Sequence, residues 1–140
     1  MKWKNKIFQN HNKSSFEAVA LEVFRFQAKN NNVYKTYLKL LNADPNNVKN
    51  LGQIPFLPIE FFKHQDVVCK SNNIDAVFTS SGTSGSQSKH IVNNLGIYEK
   101  SFTSGFEHFY GNIKDYTILA LLPSYLERSG SSLIYMCEKL

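Results

Sequence analysis

No apolar run in this chain approaches the roughly 18–20 residues of a membrane span. The basic opening, Met1-Lys2-Trp3-Lys4-Asn5-Lys6-Ile7-Phe8, is followed by neither an apolar core nor a small-residue cleavage site, so no signal peptide is read there. Cysteine is scarce: Cys69 and Cys137 lie far apart and match no metal-ligand spacing. These absences make a cytoplasmic location the expectation. A clustered basic stripe is also missing. The net charge is +5, but Lys2, Lys4, Lys6 and Lys13 precede the first acid, Glu17, leaving 12 of the 16 bases against all 11 acids. A nucleic-acid face normally shows clustered cations with a recognisable motif, so no nucleic-acid partner is expected.

What is present is a folded domain's worth of sequence. The 140 residues are 42% hydrophobic and 14% aromatic, enough to bury a core. Ser14-Ser15-Phe16-Glu17 has capping-box spacing, and Phe16, Val19, Ala20, Val23 and Phe24 follow helical spacing, predicting a helix over about 15–29. Asn30-Asn31-Asn32 breaks it. Tyr34, Tyr37, Leu38 and Leu41 repeat the pattern in a second helix that stops at Asn42-Ala43-Asp44-Pro45. Ile54-Pro55-Phe56-Leu57-Pro58-Ile59 is extended by its prolines and apolar enough to be a strap against the core.

Val67-Val68-Cys69 is a candidate short strand, Ile74–Phe78 a second, and Ile91-Val92 a third. Asn94 can cap a helix carrying Leu95, Tyr98, Phe102, Phe106 and Phe109 on one face and ending at Gly111. Tyr116–Leu122 reads as a continuous apolar strand buried on both faces of an α/β sheet. A polar loop, 123–130, follows it. Ser131 or Ser132 then opens a helix with Leu133, Met136, Cys137 and Leu140 on one face. The expected organisation is a helical region over about 14–45, a connector over 46–66 and an α/β part over 67–140. The last helix reaches Leu140 in phase and the sheet has few strands, so the chain is expected to be the front part of a larger domain. An unfinished sheet with apolar surface would also allow the fragment to associate with itself.

The densest chemical signal is Thr79-Ser80-Ser81-Gly82-Thr83-Ser84-Gly85-Ser86-Gln87-Ser88-Lys89-His90. It holds five serines, two threonines, two glycines and a cation. Hydroxyls and amides on a backbone of little bulk suit an anionic phosphate chain, although the same composition also occurs in flexible linkers. It is not a Walker loop: Gly82 and Gly85 are separated by two residues, and Lys89 lies four beyond the second glycine. Loops that follow strands are where α/β proteins place ligands. Loops 79–90 and 123–130 both do so and are expected to face one site.

Thr79-Ser80-Ser81-Gly82-Thr83-Ser84-Gly85 with Lys89 resembles the phosphate-loop signature of adenylate-forming enzymes, the acyl-CoA ligase and luciferase-like group. Further stretches resemble its LuxE-type acyl-protein synthetase branch. They are Phe24-Arg25-Phe26-Gln27, Ile54–Ile59 with Phe61-Phe62-Lys63, Ser88-Lys89-His90, and Leu121-Leu122-Pro123-Ser124-Tyr125-Leu126-Glu127-Arg128-Ser129-Gly130 with Ser131-Ser132-Leu133. The resemblance implies an α/β adenylation domain in which a carboxylic acid, expected to be fatty, is activated by ATP and Mg²⁺ and passed to a thiol. That thiol would be a protein cysteine or, in a phenylacetate-type aryl- or acyl-CoA ligase, coenzyme A; a non-catalytic nucleotide-binding module is the alternative of another class.

By the resemblance, Thr79, Ser80, Ser81, Gly82, Thr83, Ser84 and Gly85 would hold the β- and γ-phosphates, with Thr83 in direct contact. Lys89 would offset charge on the leaving pyrophosphate. His90, Tyr125, Glu127 and Arg128 are candidate substrate contacts. No metal-ligating residue is singled out. The family's adenine and ribose motifs, its metal-holding acid, its mobile C-terminal domain and the thiol acceptor all lie beyond these motifs, so the fragment alone is expected not to turn over. Cys69 and Cys137 are expected to be structural.

Overall fold

Residues 2–9, 12–71, 73–80, 87–122 and 130–140 are described by the structure, a computed structural model. They belong to two units, Met1–Asn72 and Asn73–Leu140.

The first unit is built on two helices, α1 (Lys13–Asn30) and α2 (Asn32–Leu40). The cap of α1 is Asn12 and not the predicted Ser14: Asn12 Oδ1 accepts from the Ser15 amide at 2.9 Å and from the Ser14 hydroxyl at 3.0 Å. An amide oxygen two residues upstream therefore satisfies the helix start. Glu17 has a different partner, its Oε1 accepting from the Leu51 amide at 2.8 Å. That bond ties α1 to a short turn of 3₁₀ helix, Leu51–Gln53.

Asn31 makes the break between the helices. Its N–H donates to the Gln27 carbonyl at 2.9 Å, closing α1, while its Oδ1 accepts from the Tyr34 amide at 3.1 Å, opening α2. One buried residue thus serves two helix ends, the first with its backbone and the second with its side chain. Asn42 ends α2 with φ 54°, and the Ala43 and Asn42 amides return to the carbonyls of Leu38 and Lys39. This is a Schellman cap with Asn in the left-handed position.

Leu21, Phe24 and Ala28 of α1 meet Tyr34, Leu38 and Val48 in one cluster, with Leu38 only 2% exposed. Phe16 and Leu41, both assigned to the apolar stripes from spacing, are exposed. The connector is only half a strap. Ile54 and Leu57 pack against the cluster, whereas Phe56 and Ile59 face solvent. The prolines keep 54–58 out of helix, and the inward pair Ile54 and Leu57 and the outward pair Phe56 and Ile59 are each three residues apart, the repeat of a polyproline-type backbone, so half of this apolar segment turns away. The chain then turns through α3 (Phe61–His64). Val67-Val68-Cys69 is not a strand; Cys69 alone forms a bridge, to Asn31.

The second unit opens with an antiparallel pair, β1 (Ala76–Thr79) and β2 (Lys89–Val92), in the register Ala76↔Val92, Val77↔Ile91, Phe78↔His90 and Thr79↔Lys89. Asp75 joins the pair to α4 (Leu95–Tyr110): its amide donates to the Val92 carbonyl at 2.9 Å and its Oδ2 accepts from the Leu95 amide at 3.0 Å. Asn94 caps α4 through the Ile97 amide at 2.9 Å, as the sequence predicts. Gly111, at φ 87°, ends it. Ser131 caps α5 (Ser132–Lys139).

Buried Phe78 lies 5.1 Å from the Tyr98 ring of α4 and 5.3 Å from the Tyr135 ring of α5, so three elements meet on one aromatic cluster. The Tyr135 hydroxyl donates to Glu99 Oε1 at 2.6 Å and locks α5 to α4. Phe109, expected on the packed face of α4, is exposed. On α5 the buried side chain is Ile134, and Leu133 is exposed.

The molecule is thus of the α/β class, with helices flanking a small sheet. The strand expected at Tyr116–Leu122 is not formed. Among the described residues no backbone ladder pairs with it, and Leu119 is 93% exposed. An apolar run becomes a strand only where neighbouring backbone takes up its N–H and C=O groups.

Candidate functional site

β1 and β2 are the two roots of the Ser/Thr-Gly run. Above the last paired residues, Thr79 and Lys89, the chain is clasped once more: the Ser80 amide donates to the Ser88 carbonyl at 3.0 Å, and the Ser88 amide donates to Ser80 Oγ at 3.0 Å. The loop therefore springs from a closed hairpin neck. A hydroxyl oxygen that accepts a bond keeps its own O–H to donate elsewhere, so Ser80 can close the neck and still act as a donor.

Strand pleating decides which side chains share a face. Phe78, opposite His90, points into the aromatic cluster, and the His90 ring lies 6.2 Å from that of Tyr98. The cross-strand pair Thr79 and Lys89 therefore occupies the other face, with Val77 and Ile91. Lys89 is exposed and Thr79 half-buried. Although adjacent in sequence, Lys89 and His90 are directed apart. A phosphate approaching the Thr79–Lys89 face would meet a hydroxyl and a cation; His90 instead extends the aromatic wall.

Gly130, the last residue of the second polar loop, reaches the same place. The Thr79 amide donates to its carbonyl at 2.9 Å, on the edge of β1 away from β2. Its φ is 82°, and a Cβ there would stand 3.3 Å from Thr79 Oγ1 and 3.7 Å from the Val77 carbonyl oxygen. The end of loop 123–130 thus meets the root of loop 79–90, the juxtaposition expected of two loops serving one site. Sequence reading places Gly130 at the end of a polar loop and within a family-like stretch, with no role of its own. The available signal was a glycine directly before a helix-capping serine.

Ser81, Gly82, Thr83, Ser84 and Gly85 lie in 81–86, and Tyr125, Glu127 and Arg128 in 123–129; both segments fall outside the described residues. The hydroxyls and ammonium at the neck suit polyanionic phosphate. Among the described residues no three His, Cys, Asp or Glu side chains gather to hold a metal.

Cys69, in the first unit, lies 3.1 Å from Gln27 Oε1, to which its thiol donates, and burial pushes that thiol's pKa up. A thiol held protonated is a poor nucleophile. Cys137 is half-buried on α5.

Residues 6–119 match the family model for acyl-protein synthetase, LuxE. The chain belongs to this family. The match takes in most of the helical unit, the hairpin and its loop, and stops before loop 123–130. Neither a curated protein nor a solved structure matches the chain. No helix among the described residues is long and apolar enough to cross a membrane.

Proposed function

We propose that this LuxE-family chain carries the phosphate-binding element of an ATP-dependent enzyme that activates a carboxylic acid, of the fatty type, and passes the acyl group to a protein cysteine. The observation that carries this reading is the clasped neck at Ser80 and Ser88, with Thr79 and Lys89 paired on one face beneath the Ser/Thr-Gly run.

In the first half-reaction a carboxylate oxygen bonds to the α-phosphorus of ATP while the bond from that phosphorus to the bridging oxygen breaks. Pyrophosphate departs with the electron pair, leaving an acyl-adenylate. Lys89 would lie beside the charge that grows on the departing group and stabilise it more in the transition state than in the ground state. Thr79, Ser80 and the hydroxyls and amides of 81–85 would hold the β- and γ-phosphates. Mg²⁺ would accompany those phosphates, held largely by them. In the second half-reaction a thiolate sulfur attacks the acyl carbon and AMP leaves with its bonding pair, forming a thioester. Cys69, protonated and hydrogen-bonded, is not cast as the acceptor.

The test is carboxylate-dependent ATP–pyrophosphate exchange by the full-length gene product, across fatty and aromatic acids, with Lys89→Ala and Thr83→Ala alongside. Exchange with a fatty acid that collapses in both variants is the expected result. Absence of exchange with every acid, from a folded protein, would overturn the reading. Hydroxylamine-labile acyl label on the protein, and none on coenzyme A, is expected in the second half-reaction; label on coenzyme A would reassign the acceptor.

A further inference from the structure

Phosphate loops rich in Ser, Thr and Gly face an entropic problem. A loop with many conformations must be ordered to bind, and holding its ends in the binding arrangement beforehand reduces that cost. The hairpin neck fixes the loop on the β2 side through the Ser80–Ser88 clasp. The opposite edge of β1 has a different partner, the Gly130 carbonyl, which accepts from the Thr79 amide at 2.9 Å. Gly130 is itself held firmly. It is followed by Ser131, the cap of α5, and α5 is anchored by buried Ile134 and by Tyr135 against Phe78 and Glu99.

Two independent features favour glycine at position 130. Its φ of 82° is left-handed backbone that other residues adopt only under strain. A Cβ would also press on Thr79 Oγ1 at 3.3 Å, the hydroxyl on the same face as Lys89.

We infer that Gly130 is a positioning residue for the phosphate loop: it clamps Thr79 from the β1 edge opposite the Ser80–Ser88 clasp and leaves the Thr79 hydroxyl clear. This rests on the phosphate-binding reading above. The Tyr116–Leu122 segment, the other prominent feature outside the site, has nothing in the structure to show what covers it.

The experiment compares wild type with Gly130→Ala and Gly130→Asn in the full-length gene product, with two readouts. Amide hydrogen exchange at Thr79 reports the clamp whether or not ATP binds. In Gly130→Ala that amide should exchange at least about tenfold faster, with the Ser80 amide unchanged, because only one edge of β1 loses its partner. In the exchange assay the same variant should raise KM for ATP by about tenfold and leave KM for the acid unchanged, and Gly130→Asn should recover part of the loss because Asn tolerates positive φ.

Unchanged exchange at Thr79 would overturn the clamp. Faster exchange with an unaltered KM for ATP would overturn the positioning role. A wild-type protein that does not bind ATP would overturn the phosphate reading itself, and the Thr79 exchange result would still decide whether the clamp exists.

Discussion

The two units bury their apolar residues to different extents. In Met1–Asn72, helices α1 and α2 close on a continuous cluster from Leu21 to Val48, and even the helix junction is a buried Asn31 with defined partners. In Asn73–Leu140 the buried apolar side chains among the described residues are Phe78, Val92 and Ile134, whereas Ile74, Val77, Phe109, Tyr116, Leu119 and Leu121 are exposed. The first unit is packed around one cluster. The second holds the candidate site on a hairpin whose order comes from a few hydrogen bonds and one aromatic cluster. The candidate site lies on the unit with fewer buried side chains, and regions with few buried apolar contacts open locally at lower cost.

The sharpest test of this contrast separates activity from stability. Lys89→Ala should lower ATP–pyrophosphate exchange by about 10²–10³-fold, the loss typical of one preorganised charge-stabilising group. Its thermal midpoint should stay within error, because Lys89 is exposed. His90→Ala, on the opposite face of the ribbon, should keep exchange within about threefold of wild type. Equal losses in both variants would show that the two side chains act at one point and would break the face assignment.

Next in size is Leu38→Ala, which should destabilise the protein by about 2–5 kcal/mol in urea unfolding, because a 2%-exposed leucine leaves a cavity. A smaller loss would mean that the helical unit collapses around the vacancy and is less rigid than its packing implies.

A third effect follows pH. Tyr34 donates its hydroxyl proton to the Pro55 carbonyl at 2.7 Å, and burial, with Tyr37 as a second cause, pushes its pKa up to about 12. A folded-state value above the unfolded one, near 10, means that its contribution is intact below about pH 10 and disappears as pH rises toward about 12. Urea midpoints measured at both ends of that window should fall in wild type and fall less in Tyr34→Phe. Parallel curves would remove Tyr34 as the cause.

The smallest effect belongs to the exposed segment. Leu119→Lys should change stability by no more than about 0.5 kcal/mol, because the side chain is already in water. A large loss would mean that Leu119 is covered in solution and would narrow the contrast between the units.

Local signals were well read wherever a residue's role depends on its near neighbours. The Asn30–Asn32 break, the Asn94 cap and the Gly111 stop all follow from hydrogen bonds spanning a few residues and stand where the sequence placed them, and of the two serines offered for the last helix the structure selects Ser131 as the cap. The α1 cap moved from Ser14 to Asn12 because both can accept from an early helix amide, and Glu17 was taken instead by Leu51, far along the chain. Tyr116–Leu122 had every local mark of a buried strand, yet pairing depends on a second backbone that its own residues do not specify.

By itself, the sequence determined the family, the α/β class, the helix boundaries to within a few residues, and the hydroxyl-rich run as the place to look for phosphate chemistry. Only the tertiary structure decided that Lys89 and His90 point apart, that Ser80 and Ser88 close the neck, and that Gly130 meets Thr79 from across a stretch of about fifty residues. The physical reason is range. Caps, breaks and periodicity are set by neighbours within a turn or two, whereas strand register and loop-to-loop contact depend on how distant backbone hydrogen bonds are satisfied.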